Sequence, residues 1–273
     1  MTRRVAALLA IGAFVLLAGA AVFAPAHLSE PDLSLAFAGP DRLYPFGADQ
    51  RGRPLLQYAQ QGAGVILGPA LAAGGFVGAM GVLGGLLRCV GDQRVDAAIS
   101  AFGEIVGALP RMVVILVSAL LIPSGSRGLL PLGLAWALLA SPGAMDEAAA
   151  VAERLGGARF VEALRADGFS WTRIFLYHIV ALNLRPVVVR QAAEVVTQVT
   201  FLELGLSYLA VQDAQSSFTH PDSTKSWADL LYMGYPSIVL DGVNTGHALV
   251  LGLTLVALVT MISKFSTVAV RAR

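Results

Sequence analysis

Residues 62–87 read GAGVILGPALAAGGFVGAMGVLGGLL and contain no charged side chain. An α-helix rises about 1.5 Å per residue, so roughly 20 apolar residues cross a hydrocarbon layer about 30 Å thick. The run of 26 residues exceeds that length. It therefore predicts a membrane-spanning helix.

Five further apolar runs are long enough to make the same prediction. Hydrophobic residues make up 56% of the chain and charged residues 14%, and the mean hydropathy is +0.70. This is more apolar than a soluble domain can bury in one core. We predict an all-α membrane protein with six transmembrane helices, the other five being Val5 to Ala24, Phe102 to Ile122, Leu129 to Met145, about Pro186 to Leu209 and about Thr245 to Ile262.

The first run could also be a secretory signal peptide, because Arg3 and Arg4 precede it and small residues surround Ala24. Its 20 uncharged residues exceed the roughly 7–15 of a typical signal-peptide core, which favours a retained span. We therefore expect residues 1–61 to hold the first transmembrane helix and an extracytoplasmic segment. Residues 62–273 would form the core membrane domain.

The distribution of Lys and Arg predicts the orientation, because cytoplasmic loops carry the excess of positive charge. With six spans, twelve of these residues fall on the side of the two termini, five fall on the other side, and Arg111 and Arg190 lie within spans. Both termini are therefore expected in the cytoplasm. Residues 146–185 would be the longest cytoplasmic loop.

Several function classes are disfavoured. A formal net charge of +1 gives no basic surface for nucleic acid. The chain has no nucleotide-binding Gly-rich loop and no His-Glu-x-x-His motif, and its four histidines are not spaced as metal ligands. We predict a non-enzymatic chain with no catalytic residue, no metal site and no cofactor of its own.

The loop at 146–185 reads as two short helices, from Asp146 to Leu155 and from Ala158 to Asp167. Gly168 is expected to end the second helix in the left-handed conformation, which glycine adopts without a Cβ clash. Ser170 is expected to cap the amphipathic helix that follows. A helix with a sharp corner would protrude from the bilayer.

This loop resembles the "EAA" loop of ATP-binding-cassette importer permeases, with Glu162, Ala163 and Gly168 at matching positions. Leu164 and Ala181 depart from the family pattern. In that family the loop forms a coupling helix that docks on the ATPase subunit. The resemblance thus implies an ATPase-coupling site at Glu162, Ala163, Arg165, Gly168 and His178.

Three further stretches resemble the dipeptide/oligopeptide/nickel branch of these permeases, in particular its second permease subunit. They are Pro45 to Arg53 (PFGADQRGR), Glu203 to Leu209 (ELGLSYL) and Ser226-Trp227. Pro54 and the 261–273 terminus depart from the branch pattern.

The resemblance implies a type I importer permease fold and a multi-pass position in a bacterial inner membrane. It also implies a second permease subunit, two ATPase subunits that bind ATP and Mg, an extracytoplasmic substrate-binding protein and contact with membrane lipid. The cargo would be a dipeptide, an oligopeptide, nickel or a metallophore. A component of an exporter or of lipid handling, and a polytopic scaffold without transport, remain as alternatives.

Charged residues inside apolar spans are costly and are therefore candidates for function. Glu104 and Arg111 are expected to share a face of the third span, with a possible kink at Pro110 between them. Arg190 and Glu194 form an i, i+4 pair in the fifth span. Each of these residues, and Glu203 in the fifth span, could line a translocation path or form an interface pair.

Glycines in the second span form three Gly-x-x-x-Gly pairs, Gly64/Gly68, Gly74/Gly78 and Gly81/Gly85. Such pairs allow two helix backbones to approach closely. Gly64, Gly68, Gly75, Gly78 and Gly85 are expected near one helical face. We expect helix packing there, with a sliding surface as the alternative.

Overall fold

The computed structural model describes residues 3–42, 44–89, 93–123, 128–156, 159–170, 173–212, 219, 224–235 and 246–270. Apart from an isolated antiparallel bridge between Ala48 and Pro54, regular structure in these residues is helical. The predicted all-α class is therefore confirmed. The α-helices are α1 (Arg3–Val22), α2 (Leu55–Cys89), α3 (Gln93–Gly107), α4 (Arg111–Leu121), α5 (Leu129–Gly156), α6 (Arg159–Ala166), α7 (Arg185–Gln212), α8 (Trp227–Gly234) and α9 (Gly246–Val270).

Four of the described helices, α1, α2, α5 and α9, are long and apolar enough to cross a membrane. The successive helices α3 and α4 add a fifth candidate if they are counted together. Helix α7 covers the predicted fifth span but is not among the candidates, and it contains Arg190, Glu194 and Glu203. The membrane character is therefore supported by four of the six predicted spans, or by five if α3 and α4 are one span.

The predicted third span is bent. Helix α3 ends at Gly107, α4 begins at Arg111, and their axes differ by 77°. Pro110 precedes α4 with a φ of −65°. Because proline has no N–H and restricts the residue before it, a continuous helix is broken there.

Helix α5 is longer than the predicted fourth span, since it continues through Asp146 to Gly156. The predicted short helix from Asp146 to Leu155 is therefore the last part of α5 and is not a separate element. The second predicted short helix is confirmed as α6. Between Ile174 and Leu184 the chain is π-helical, not α-helical as expected, and continues directly into α7.

Helix α2 packs against α5 and α7 at the centre of the bundle, and its glycines make both contacts close. A Cβ at Gly74 would lie 2.8 Å from the carbonyl oxygen of Ala192 in α7, and one at Gly81 would lie 3.3 Å from that of Ala144 in α5. The packing role is thus confirmed for the pairs Gly74/Gly78 and Gly81/Gly85.

The remaining glycines of the predicted packing face, other than Gly78 and Gly85, make no close contact with a described helix. A Cβ at Gly64, Gly68 or Gly75 would have no neighbour within 4 Å among the described atoms. The expected single packing face is therefore wrong, because α2 uses one set of glycines for α7 and another for α5. The buried core is also centred on α2 and includes its residues Ile66, Ala73 and Val77.

Candidate functional site

The loop at 45–53 is closed by the carboxylate of Asp49. Its Oδ1 accepts hydrogen bonds from the N–H groups of Arg51 and Arg53, each at 2.8 Å, and its Oδ2 accepts one from the Tyr58 hydroxyl at 2.6 Å. Asp49 and Tyr58 are buried. This acidic side chain therefore joins the loop to the first turn of α2.

Gly52 lets the same loop approach the segment before it. Its φ is +72°, and a Cβ there would overlap the carbonyl of Asp32. The N–H of Asp32 donates to the carbonyl of Arg51 at 2.9 Å. Hydrogen bonds from the side chain and the N–H of Ser34 lower the pKa of Asp32. Glycine is required at position 52 by both conformation and space.

Trp227 anchors α8 against α2. Its side chain is fully buried, and its Nε1 donates to the carbonyl of Ala59 at 2.9 Å. The indole ring lies so close to Gly62 that a Cβ at that position would overlap it. A buried Trp needs both an apolar pocket and an acceptor for its N–H, and α2 supplies the two together.

The start of α8 is capped by side chains on both sides of the first turn. The Ser226 hydroxyl accepts from the N–H of Ala228 at 3.1 Å, and Asp229 Oδ2 accepts from the N–H of Ser226 at 2.8 Å. This reciprocal arrangement is a capping box. Lys225 Nζ lies 3.5 Å from Asp229 Oδ1, and the Lys225 N–H donates to Gln61 Oε1 at 2.9 Å.

Glu203 of α7 also belongs to this region. Its side chain is fully buried, and Oε1 accepts from the Ser207 hydroxyl at 2.8 Å. Ser207 in turn shares a hydrogen bond of 2.7 Å with Thr219. The Ser226 side chain also hydrogen-bonds Glu203. A buried carboxyl with several hydroxyl partners fixes α7 relative to α8.

We call this group of contacts around α8 the Trp227 network. It brings the stretch 45–53 together with 203–209 and 226–227, which follow it by about 150 residues or more. Its members are Asp49, Tyr58, Ala59, Gln61, Glu203, Ser207, Thr219, Lys225, Ser226, Trp227 and Asp229.

At α6 the local geometry follows the expectation. Gly168 has a φ of +83°, its N–H donates to the carbonyl of Arg165, and the N–H of Phe169 donates to that of Leu164, both at 3.0 Å. This pair of bonds is the Schellman ending of a helix. The Ser170 hydroxyl accepts from the N–H of Arg173 at 3.4 Å. Arg173 directly precedes the π-helical segment and residues 171–172 lie outside the described residues, so the cap by Ser170 stays a prediction.

The candidate coupling residues Glu162, Ala163 and Arg165 have exposed side chains on α6. Helix α6 makes few contacts with the other described helices. His178 lies in the π-helical segment, but its side chain is outside the described residues. The structure therefore places an exposed helical corner at 159–170, and it leaves the role of His178 a prediction.

Ion pairs connect α5 to α2 and α7, and a further pair connects α2 to α3. Arg88 of α2 lies 3.1 Å from Asp96 of α3 and 3.1 Å from Asp146 of α5. In addition, Glu147 of α5 contacts Arg190 and Gln191 of α7. We call these residues together the Arg88 cluster. Through it, a displacement of α5 at Asp146 and Glu147 would reach α2 and α7 directly, and α3 through Arg88.

This cluster corrects the predicted partner of Arg190. The ion partner is Glu147 of α5, not Glu194, and Glu194 instead accepts a hydrogen bond of 3.3 Å from Gln198. A helical i, i+4 spacing permits a pair, but both side chains are long and a neighbouring helix offers competing partners. Arg190 and Glu194 nevertheless line the same polar cleft of about 420 Å³ between α7 and α9.

The prediction that Glu104 and Arg111 share a helical face is wrong. Glu104 belongs to α3 and Arg111 begins α4, on opposite sides of the 77° bend. Both side chains are exposed. A separation of seven residues places two side chains on one face only when the helix is continuous, and Pro110 interrupts it.

Several residues of these clusters were not among the predicted site residues. Asp229 could have been found from its position three residues after Ser226, which is the spacing of a capping box. Arg88 follows directly after the uncharged run, which marks the end of a span. The pairing of Arg190 with Glu147 has no local sequence signal.

In the part of the chain that the structure describes, no three His, Cys, Asp or Glu side chains cluster in a way that could hold a metal ion. The candidate site comprises the Trp227 network, the Arg88 cluster and the exposed corner at 159–170. No protein-family model matches the chain, and no curated protein matches its sequence.

Proposed function

We propose that this chain is a permease subunit of an ATP-binding-cassette importer of the dipeptide/oligopeptide/nickel family. It has six spans in the type I permease fold and lies in a bacterial inner membrane with both termini in the cytoplasm. It works with a second permease, two ATPase subunits that bind ATP and Mg, and an extracytoplasmic binding protein. The cargo is a peptide or a related small solute, and the chain itself catalyses no reaction.

The observation that carries this proposal is the exposed corner formed by α6 and Gly168. A helix that receives a push from another subunit must be exposed, rigid and fixed in direction. Helix α6 is short, its C-terminus is fixed by the Schellman bonds, and Glu162 and Arg165 lie on its exposed surface. Because α6 lies between α5 and α7 along the chain, such a push would reach the bundle through both of these helices.

The Trp227 network adds support. Three stretches that resemble the same permease branch meet in this network, although 45–53 and 226–227 are separated by most of the chain. In a transporter built this way, the network would hold α2, α7 and α8 together. The Arg88 cluster would pass displacements of α5 to α2 and α7 during alternating access.

The test is to purify the tagged full chain from membranes of its source organism in mild detergent. We expect an ATPase to co-purify, and we expect its ATP hydrolysis to rise when the cognate binding protein is added. Gly168→Val should abolish that rise, because a β-branched residue is strained at positive φ. Gly168→Asn is the matched control, since asparagine tolerates this conformation, and it should retain most of the stimulation.

Three outcomes would contradict the proposal. A complex that purifies with no ATPase favours a scaffold. Hydrolysis that responds to lipid or to an exported compound, and not to a binding protein, favours an exporter. Full stimulation in Gly168→Val, with α6 still helical by hydrogen exchange, removes the coupling role of this corner.

A further inference from the structure

A pocket of about 200 Å³ opens between the 45–53 loop, the first turn of α2 and α8. Its wall carries three basic and two acidic side chains, and the uncharged residues Gln50, Tyr58, Tyr232 and Met233 complete it. The charged members are Arg51, Arg53, Lys225, Asp49 and Asp229. The wall thus has a surplus of one positive charge.

The two acids of the wall are already engaged by the protein. Asp49 accepts three hydrogen bonds, from two N–H groups of its own loop and from Tyr58. Asp229 accepts the N–H of Ser226 and faces Lys225 Nζ at 3.5 Å. Each carboxylate thus has partners within the protein, and their two charges leave one positive charge of the wall unbalanced.

Arg53 has binding capacity that the chain does not use. Its backbone N–H is bound to Asp49, which fixes where the side chain begins. Its Nε is buried and has no hydrogen-bond partner, and its guanidinium forms no ion pair with any described residue. Because Arg53 also lines the pocket, an anion that enters it would meet a guanidinium with no ion partner among the described residues.

We propose that this pocket binds a carboxylate group, with Arg53 as its principal ligand. The planar guanidinium matches the two oxygens of a carboxylate in a bidentate pair. A single negative charge balances the wall, whereas a dianion would place excess charge beside Asp49 and Asp229. The volume is below the roughly 300–1,000 Å³ of pockets for drug-sized ligands, so it admits a small acid or the acidic end of a larger molecule.

The proposal is independent of the transport function, because it rests only on the pocket wall. Its test uses the full chain in detergent, with thermal unfolding followed as sodium acetate is titrated against sodium chloride at matched ionic strength. We expect acetate to raise the melting temperature saturably. Sulfate, a dianion, should give a smaller rise at the same concentration.

Arg53→Gln should weaken acetate binding about tenfold or more, because it removes the charged partner of the bidentate pair. Arg42→Gln is the control, since Arg42 is exposed in the same extended segment but does not line the pocket. Arg53→Lys keeps the positive charge but loses the planar guanidinium, so this variant should bind acetate with intermediate affinity. That variant decides the question if Arg53→Gln does not fold.

A second titration distinguishes a carboxylate on a protein side chain from one on a free solute. A blocked Gly-Glu-Gly peptide that binds more tightly than acetate indicates a protein side chain, and weaker binding indicates a free solute; both results support the site. The proposal is overturned if sulfate stabilises as strongly as acetate. It is also overturned if Arg53→Gln or Arg53→Lys retains the full wild-type affinity.

Discussion

The two ends of the helix bundle are held by different kinds of interaction. Most side chains of the Trp227 network are buried, among them Trp227 and Glu203, and its hydrogen bonds include backbone groups. In the Arg88 cluster the carboxylates of Asp96 and Asp146 are 59% and 61% exposed. Exposed ion pairs contribute little to stability, whereas buried packing contributes much. We infer that the Arg88 end yields first when the bundle is deformed.

The largest expected effect is at Trp227. Trp227→Ala removes a fully buried ring and leaves the carbonyl of Ala59 without its donor. We expect a loss of about 3–5 kcal/mol in the free energy of unfolding, measured by SDS titration in mixed micelles. Phe23→Ala is the control, since Phe23 is 76% exposed. A loss below that of the control would mean that the Trp227 end is not the rigid one.

The next effect is at Asp49. Asp49→Ala removes the acceptor for two N–H groups and for the Tyr58 hydroxyl, and we expect a loss of about 1.5–3 kcal/mol. Asp49→Asn should lose less, because its amide oxygen can still accept the two N–H bonds. Asp41→Ala is a control in the same segment, since Asp41 is exposed and accepts only from its neighbour Arg42. Equal losses at positions 41 and 49 would contradict the role of Asp49 in loop closure.

Much of this architecture could be predicted from the sequence because its causes are local. Uncharged runs gave the positions of α1, α2, α5 and α9, since the length of a span is set by the membrane. The corner at Gly168 was also predictable, because a glycine after a short helix has a defined ending geometry. The boundaries were less accurate, and α2 begins at Leu55, before the expected Gly62.

The parts that could not be predicted depend on which helices meet. The partner of Arg190 is on α5, and nothing in the spacing of α7 indicates it. The sequence indicates a possible kink at Pro110. Whether Glu104 and Arg111 share a face depends on the size of that kink, which is 77°. The glycines of α2 had the correct period, yet their division between α5 and α7 requires the tertiary arrangement.

A smaller effect is expected at Gly168, and it should stay local. A Cβ there would meet no atom within 4 Å, so any cost comes from the backbone conformation alone. Gly168→Val should destabilise the end of α6 by about 1–2 kcal/mol, seen as faster hydrogen exchange at Phe169, without a change in the global unfolding transition. A global shift as large as that of Asp49→Ala would show that α6 is packed into the bundle. Gly168→Asn should leave the exchange nearly unchanged.

The smallest effect is expected in the Arg88 cluster, and salt should reveal it. Asp146→Asn and Asp96→Asn should each cost about 0.2–1 kcal/mol at low salt. The cost should fall as ionic strength rises to about 1 M, because the screening length shortens from about 10 Å at 0.1 M to about 3 Å. Glu104→Gln is the matched control, since Glu104 is exposed and belongs to neither cluster.

A double-mutant cycle between Arg88→Gln and Asp146→Asn measures the pair itself. We expect its coupling energy to shrink with salt, while the cost of Trp227→Ala stays the same, because a buried ring and its backbone acceptor are not screened. Arg88 is only 14% exposed, so its own truncation should cost more than either aspartate variant. If the coupling energy is large and insensitive to salt, the Arg88 end is as firmly held as the Trp227 end, and deformation of the bundle would have to begin elsewhere.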